Sequence, residues 1–101
     1  MRLVIADTGP VNYLILIGHI DLLPRLFERV VLPTAVEGEL MDVDAPPEVR
    51  NWIAHAPAWL EILEVPSVDL GPGPLDEGEA AVITLATALH ADLLLMDERK
   101  A

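Results

Sequence analysis

Short apolar runs that end at a charged or turn-forming residue set the pattern of this chain. Three of them occur, at residues 3–6, 30–32 and 93–96. Runs of this length without a polar face are typical of strands that are buried on both sides of a sheet. Residues 60–65 are interpreted as a further strand. The chain is therefore predicted to have four strands.

The segments that follow the first strand begin and end with residues that favour helices. Asp7 or Thr8 can cap the first helix, and Gly18 can end it. Asp21 opens a second, shorter helix over residues 22–27. Two helices are thus predicted between the first strand and the second.

Three more helices are predicted further along the chain. Thr34 and Glu37 have the spacing of a capping box, which predicts that they cap the start of the third helix reciprocally. Apolar positions 49, 52, 53 and 56 share one face of a fourth helix. Residues 66–75 contain three prolines and two glycines and predict an irregular loop. The longest helix follows from Asp76 to about residue 89, and because it is apolar nearly all round we expect it to be buried.

Strands that alternate with helices predict an α/β fold, in which a parallel β-sheet is flanked by helices. The 101 residues suffice for a single domain. In sheets of this kind ligands bind beyond the carboxyl ends of the strands, so candidate chemistry is sought there.

Four acidic side chains occur where this topology would bring them together. Asp7 and Asp97 each follow a predicted strand, so in a parallel sheet both carboxylates reach the same edge. Glu39 and Glu79 lie in otherwise mostly apolar helical segments. Carboxylates brought close together repel one another unless a cation neutralises them, and oxygen-only ligands favour Mg²⁺ or Mn²⁺. Such an ion can activate water for attack on a phosphodiester.

Each of these acidic residues also has a purely structural explanation. Asp7 can be a helix N-cap, and Asp97 can be a turn residue at the end of a strand. Glu39 can be a solvated glutamate on a helix surface. Glu79 can be the capping-box partner of Asp76. The residues alone leave both explanations open.

The composition narrows the classes of function. Asp and Glu number 17 against 6 Lys and Arg, which gives a net charge of −11. This charge argues against binding to nucleic acid or an anionic membrane by bulk electrostatics, although bound cations can supply positive charge locally. Cysteine is absent, which excludes thiolate metal sites and cysteine nucleophiles. The N-terminal apolar run is too short for a signal peptide or a spanning helix, so we expect a cytoplasmic protein.

Four segments in register also resemble a known family, the PIN-domain proteins, and they cover the whole chain in order. Residues 4–14 resemble the opening strand and helix of these proteins, and residues 31–40 their second strand and the helix that carries a metal-site glutamate. Residues 75–86 resemble the "GE" helix of the subgroup related to VapC-type toxins. Residues 93–100 resemble the strand and acidic turn that follow. The chain is similar in this respect to the DUF3368-type subgroup.

This resemblance implies a three-layer α/β/α fold and a ribonuclease that depends on Mg²⁺ or Mn²⁺, commonly the toxin of a toxin–antitoxin pair. Carried over position by position, the catalytic and metal-binding residues would be Asp7, Glu39, Glu79 and Asp97. Asp7 and Asp97 would bind the metal ion directly, while the two glutamates would complete its shell or hold its waters. Thr8 would support the first aspartate through its hydroxyl, and Glu98 is an additional acidic candidate.

The resemblance also implies partners: RNA as substrate, a second copy in a homodimer, and an antitoxin protein near the acidic cleft. Family members usually continue past the acidic turn with another helix and a fifth strand, whereas this chain stops at Ala101. We therefore expect either a C-terminally truncated domain or a sheet edge completed by a partner copy.

Two other functions stay open. One is a catalytically inactive interaction module that keeps the acidic cluster and acts through dimer or antitoxin contacts. The other is a phospho-acceptor receiver domain, which also places an aspartate after a parallel strand. The absence of a lysine at a later strand end argues against the receiver, because the only lysine of the chain is Lys100.

Overall fold

The computed structural model describes residues 2–65 and 77–96, which form four strands and five helices. In chain order the elements are β1 (Leu3–Ala6), α1 (Thr8–Leu16), α2 (Leu22–Leu26), β2 (Arg29–Pro33), α3 (Thr34–Leu40), α4 (Pro47–Ala54), β3 (Leu60–Leu63), α5 (Glu77–Leu89) and β4 (Leu93–Leu95). The predicted strands and helices are confirmed, with small shifts at their ends. The loop predicted at residues 66–75 lies outside the described residues.

The four strands form one parallel sheet in the order β3-β2-β1-β4. Val4 of β1 lies opposite Val30 of β2 on one side and Leu93 of β4 on the other. β1 is therefore an interior strand, although it comes first in the chain. The parallel sheet flanked by helices confirms the predicted α/β fold.

The strand order reverses at β1, and this reversal positions the site described below. The chain moves outward from β1 through β2 to β3, and then returns across the sheet to place β4 on the other side of β1. The outward path carries α1 to α4, and the return path carries α5, which packs against β1, β2, β4 and α3. Crevices at the carboxyl ends of strands where the order reverses are the usual ligand sites of open parallel sheets.

The core lies where the interior strands meet the helices. Side chains without exposed surface come from both interior strands and from three helices: Val4, Ile5, Ala6, Val31, Leu32, Val36, Leu40, Val49 and Val82. Apolar runs without a polar face are required on β1 and β2 because helices cover these strands on both sides. This burial fixes the positions of the strand ends.

Two helices end in the same way, with a residue in the left-handed conformation. After α1, Gly18 has φ 77°, and the N–H of His19 donates to the carbonyl of Leu14 at 2.8 Å. After α5, His90 has φ 54°, and the N–H of Ala91 donates to the carbonyl of Ala86 at 3.0 Å. Both are Schellman-type ends, which satisfy carbonyls that the helix leaves without an internal donor.

The capping box predicted for Thr34 and Glu37 is wrong. α3 already includes Thr34, and the N-cap is Pro33, which makes no side-chain capping hydrogen bond. The reason is that β2 runs through Pro33 and leads directly into the helix, so the threonine takes the first helical position instead of the capping position.

The expectation that α5 is buried holds for Ala80, Ala81, Val82 and Leu85 but not for the whole helix, and β4 is less buried than expected. Ile83 is 38% exposed on α5, because this helix forms an outer layer and its far side faces solvent. Leu93 and Leu94 are 43% and 36% exposed, because β4 is paired on one side only among the described residues. No described helix has the length and apolar character needed to span a membrane.

Candidate active site

Asp7 lies at the carboxyl end of β1, at the point where the strand order reverses. Its backbone N–H donates to the carbonyl of Leu95 at 2.8 Å, one step beyond the pairing of Ala6 with Leu95. The residue is only 6% exposed. An ionisable side chain is thus held in a largely buried position by the pairing of the two strands.

The side chain of Asp7 also caps the helix that follows. Its Oδ1 accepts a hydrogen bond of 2.8 Å from the backbone N–H of Thr8, and the backbone of Asp7 is extended (φ −91°, ψ 172°). The structural explanation of this residue as an N-cap is therefore confirmed. Capping is compatible with a role in binding, because the hydrogen bond to Thr8 holds the Asp7 carboxylate in one orientation.

Thr8 connects this strand end to α3. Its hydroxyl donates a hydrogen bond to Oε1 of Glu39. The sequence led us to expect that this hydroxyl supports Asp7. In the structure the backbone N–H of Thr8 supports Asp7, and the hydroxyl holds Glu39 instead. Glu39 is an exposed residue, yet its carboxylate has a defined position.

Gly78 brings α5 against the same two carboxylates. A Cβ atom built on Gly78 would lie 2.5 Å from Oε1 of Glu39 and 3.4 Å from Oδ1 of Asp7. Side-chain oxygens from the end of β1 and from α3 therefore approach one point on the backbone of α5. These two carboxylates come from residues far apart in the sequence.

Glu79 follows Gly78 on α5 and is 6% exposed. Asp7 and Glu79 are the buried charged residues of the described chain. The helix that carries Glu79 packs against β1, β2 and α3, which are the elements around the other two carboxylates. Glutamate is rarely so deeply buried, and its burial here distinguishes Glu79 from the exposed acidic residues of the chain.

Two of the predicted site residues, Asp97 and Glu98, lie outside the described residues, as does Asp76, the proposed capping partner of Glu79. β4 ends at Leu95, beside the end of β1. Within residues 2–65 and 77–96, no three His, Asp or Glu side chains form a group that could hold a metal ion by themselves.

The donor set at this edge has the chemistry of a site for a hard divalent cation. The oxygens that approach Gly78 belong to carboxylates, which are the ligands that Mg²⁺ and Mn²⁺ prefer. Because Gly78 has no side chain, the Glu39 carboxylate can approach the backbone of α5 at this point. The residues present are thus suited to such an ion.

Sequence reasoning missed two features of this site, the role of Gly78 and the hydrogen bond between Thr8 and Glu39. The glycine did carry a signal, because glycine near the start of an apolar helix lowers helix stability and commonly has a packing or functional reason. No local signal could reveal the hydrogen bond, since the two residues are 31 positions apart.

A family model, DUF3368, described as a PIN domain, matches residues 3–101. Comparison with curated protein sequences and with solved structures gave no match. The family match covers almost the entire chain, and the parallel sheet with its five helices agrees with the α/β/α fold implied by the resemblance. The chain therefore belongs to the PIN-domain family, which has a nuclease-type fold and generally uses divalent metal ions.

Proposed function

We propose that this protein is a metal-dependent endoribonuclease that hydrolyses RNA phosphodiesters. The observation that carries the proposal is the convergence of Asp7 and Glu39 on Gly78, at the sheet edge where the strand order reverses. The buried Glu79 follows on the same helix. Membership of the PIN-domain family supports a nuclease over the other classes considered.

The residues that would hold Mg²⁺ or Mn²⁺ are the four acids Asp7, Glu39, Glu79 and Asp97. When bound, such an ion supplies a nucleophilic water at neutral pH and stabilises negative charge on the phosphate. It also offsets the charge of the protein, which is −11 and would otherwise repel RNA.

The protein side chains contribute orientation to this chemistry. The carboxylate of Asp7 is held through Oδ1 by the N–H of Thr8, and the carboxylate of Glu39 by the hydroxyl of the same residue. Thr8 therefore fixes two acidic groups relative to each other. Such fixed ligand positions reduce the reorganisation needed to bind the ion and the substrate.

The test is cleavage of RNA by the purified protein with Mg²⁺ or Mn²⁺, with and without EDTA. We expect cleavage that EDTA abolishes and that Asp7→Asn reduces to background, since asparagine preserves the N-cap but removes a charged ligand. Asp21→Asn is the matched control. Asp21 is also an N-cap, at the start of α2, but it is exposed and makes no side-chain capping bond.

Cleavage that neither EDTA nor Asp7→Asn affects would contradict the proposed site. A folded protein that binds no divalent ion and cleaves no RNA would contradict the proposed activity. That second outcome would favour the alternative, an inactive PIN-like interaction module.

The proposal extends to the toxin of a toxin–antitoxin pair, a homodimer inhibited by an antitoxin protein. Support for this extension comes from the similarity of residues 75–86 to the "GE" helix of the VapC-type subgroup. Induced expression in bacteria tests it. We expect wild type to arrest growth and Asp7→Asn to permit it, at equal protein levels. Equal growth of both strains would contradict the toxin role without deciding the ribonuclease activity.

A further inference from the structure

Gly78 and Gly38 are both helical glycines, but they have very different surroundings. Gly78 is buried, and a Cβ there would meet the carboxylate of Glu39 at 2.5 Å for Oε1 and 3.2 Å for Cδ. Gly38 lies on α3, is exposed, and a Cβ there would meet nothing within 4 Å. The two positions form a natural matched pair.

The nature of the atoms that surround Gly78 is informative. The nearest are the terminal atoms of Glu39, followed by Oδ1 of Asp7 at 3.4 Å, and none of them is a core side chain or backbone. Among the described residues, a methyl group at Gly78 would therefore meet the acidic site before any part of the hydrophobic core. The contact below 3.0 Å is with the end of a flexible glutamate side chain, which would be displaced.

We propose that Gly78 is a positioning residue, which sets the place of the Glu39 carboxylate by leaving room for it between α5 and the Thr8 hydroxyl. This inference rests on the proposed function, because it assigns the space beside Gly78 to a metal ligand. Gly78 acts through the space beside the backbone of α5 and not through a charged group. The glycine is required by the site and not by the fold.

The consequence of adding a methyl group can be followed atom by atom. The Cβ would displace Oε1 of Glu39, which is the oxygen that accepts the hydrogen bond from Thr8. The hydrogen bond would break, and the carboxylate would leave the vicinity of Asp7. The stability of helix α5 itself would increase, since alanine favours helices more than glycine does.

The experiment compares Gly78→Ala with Gly38→Ala in the full chain, through three measurements. These are the urea midpoint of unfolding, the ¹³C chemical shift of the Glu39 side-chain carboxyl in metal-free protein, and the affinity for Mn²⁺. We expect both variants to unfold at the wild-type urea concentration or above it. Only Gly78→Ala should shift the Glu39 signal, and only this variant should lose Mn²⁺ affinity, by about 10-fold or more.

Thr8→Val provides a further check on the mechanism. It should shift the Glu39 signal in the wild-type background, where the hydrogen bond exists. In the Gly78→Ala background it should cause no further shift, because the bond is already broken. Additive shifts in the double variant would overturn the inference.

Other outcomes separate the inference from the proposed function. A marked loss of stability in Gly78→Ala, absent when Glu39 is also replaced by alanine, would still identify Glu39 as the group in contact and support the inference. A loss that persists in Gly78→Ala/Glu39→Ala would overturn it, since the methyl group would then clash with the fold. Wild type that does not bind Mn²⁺ would contradict the proposed function, and the metal-free Glu39 signal alone would then decide the role of Gly78.

Discussion

The hydroxyl of Thr8 donates a hydrogen bond to Oε1 of Glu39 and so joins the first turn of α1 to the last turn of α3. The N–H of the same threonine donates to Asp7. A single residue thus orients two of the acids proposed to act together. It does so with the two donors available to a threonine, one from the backbone and one from the side chain.

The first prediction concerns the hydroxyl of this threonine. Thr8→Val keeps the shape of the side chain but removes the donor to Glu39, so we expect affinity for Mn²⁺ and RNA cleavage to fall about 10- to 100-fold. Thr8→Ser keeps the hydroxyl and should retain most of both. Calorimetric titration with Mn²⁺ and an RNA cleavage assay measure these effects. Equal loss in the serine and valine variants would show that the hydroxyl is not what matters.

The second prediction is a pH dependence that arises away from the site, at the ion pair between β2 and β3. Arg29 donates to both carboxylate oxygens of Glu61, at 2.9 Å and 2.8 Å. These hydrogen bonds, assisted by the charge of Arg29 and opposed by partial burial, hold the pKa of Glu61 below its ordinary value. The pair therefore stabilises the fold above the unfolded-state pKa, and this contribution is lost as the pH falls through the folded-state pKa.

Glu61→Gln tests this dependence. We expect the variant to be less stable than wild type at pH 7 and to lose less stability on acidification to pH 3. The difference should be small, because the glutamate side chain is 40% exposed and solvent screens the pair. Urea unfolding at both pH values measures it. Glu64→Gln, at an exposed position of the same segment, serves as control, and an identical response of the two variants would contradict the assignment.

The third prediction concerns the start of β4, which Asp92 ties to β1. Its Oδ2 accepts a hydrogen bond of 2.6 Å from the N–H of Leu3, and its own N–H donates to the carbonyl of Leu3 at 2.9 Å. Asp92→Ala leaves a partly buried backbone donor without its acceptor, and we expect it to lower the free energy of unfolding by about 1–3 kcal/mol. Asp92→Asn keeps a side-chain carbonyl acceptor, so its free energy of unfolding should fall less than that of Asp92→Ala. A similar loss in both variants would mean that the bond contributes little.

The fourth prediction is a stabilising substitution. His90 has φ 54°, a conformation that costs a residue with a Cβ about 1–2 kcal/mol and that glycine adopts freely. His90→Gly should therefore raise the free energy of unfolding by about 0.5–1 kcal/mol. This gain is smaller than the cost of the conformation, because glycine has greater freedom in the unfolded chain. His90→Ala is the control and should give no such gain. Chemical denaturation followed by circular dichroism decides between the two results.

The fold could be predicted from the sequence because its main signals are local. Three of the four strands are short apolar runs, and α1 and α4 are marked by a capping residue and by the spacing of apolar positions. What the sequence could not indicate is which strand lies at an edge. Leu93 and Leu94 look as apolar as the residues of β1, yet they are partly exposed because β4 has a described neighbour on one side only.

The site was predictable in part, for a similar reason. Asp7 was found because it directly follows a buried strand, and a parallel sheet gives such a residue a defined place. The carboxylate of Glu39 could not be placed, since its position depends on a hydroxyl from α1 and on the close approach of α5. These contacts form only in the folded protein, and the spacing of residues along the sequence does not indicate them.

Because β1 lies between β2 and β4, its two pairings form at different times during synthesis of the chain. β1 is the first strand in the sequence, but its pairing with β4 joins residues 89 positions apart, so this pairing must wait until β4 has been synthesised. Closing so long a loop costs more entropy than the earlier pairing with β2, and slows folding accordingly. Asp7, Thr8 and Glu39 are available once α3 exists, whereas Gly78 and Glu79 arrive with α5. A nascent chain therefore carries half of the acidic site long before it can carry the whole.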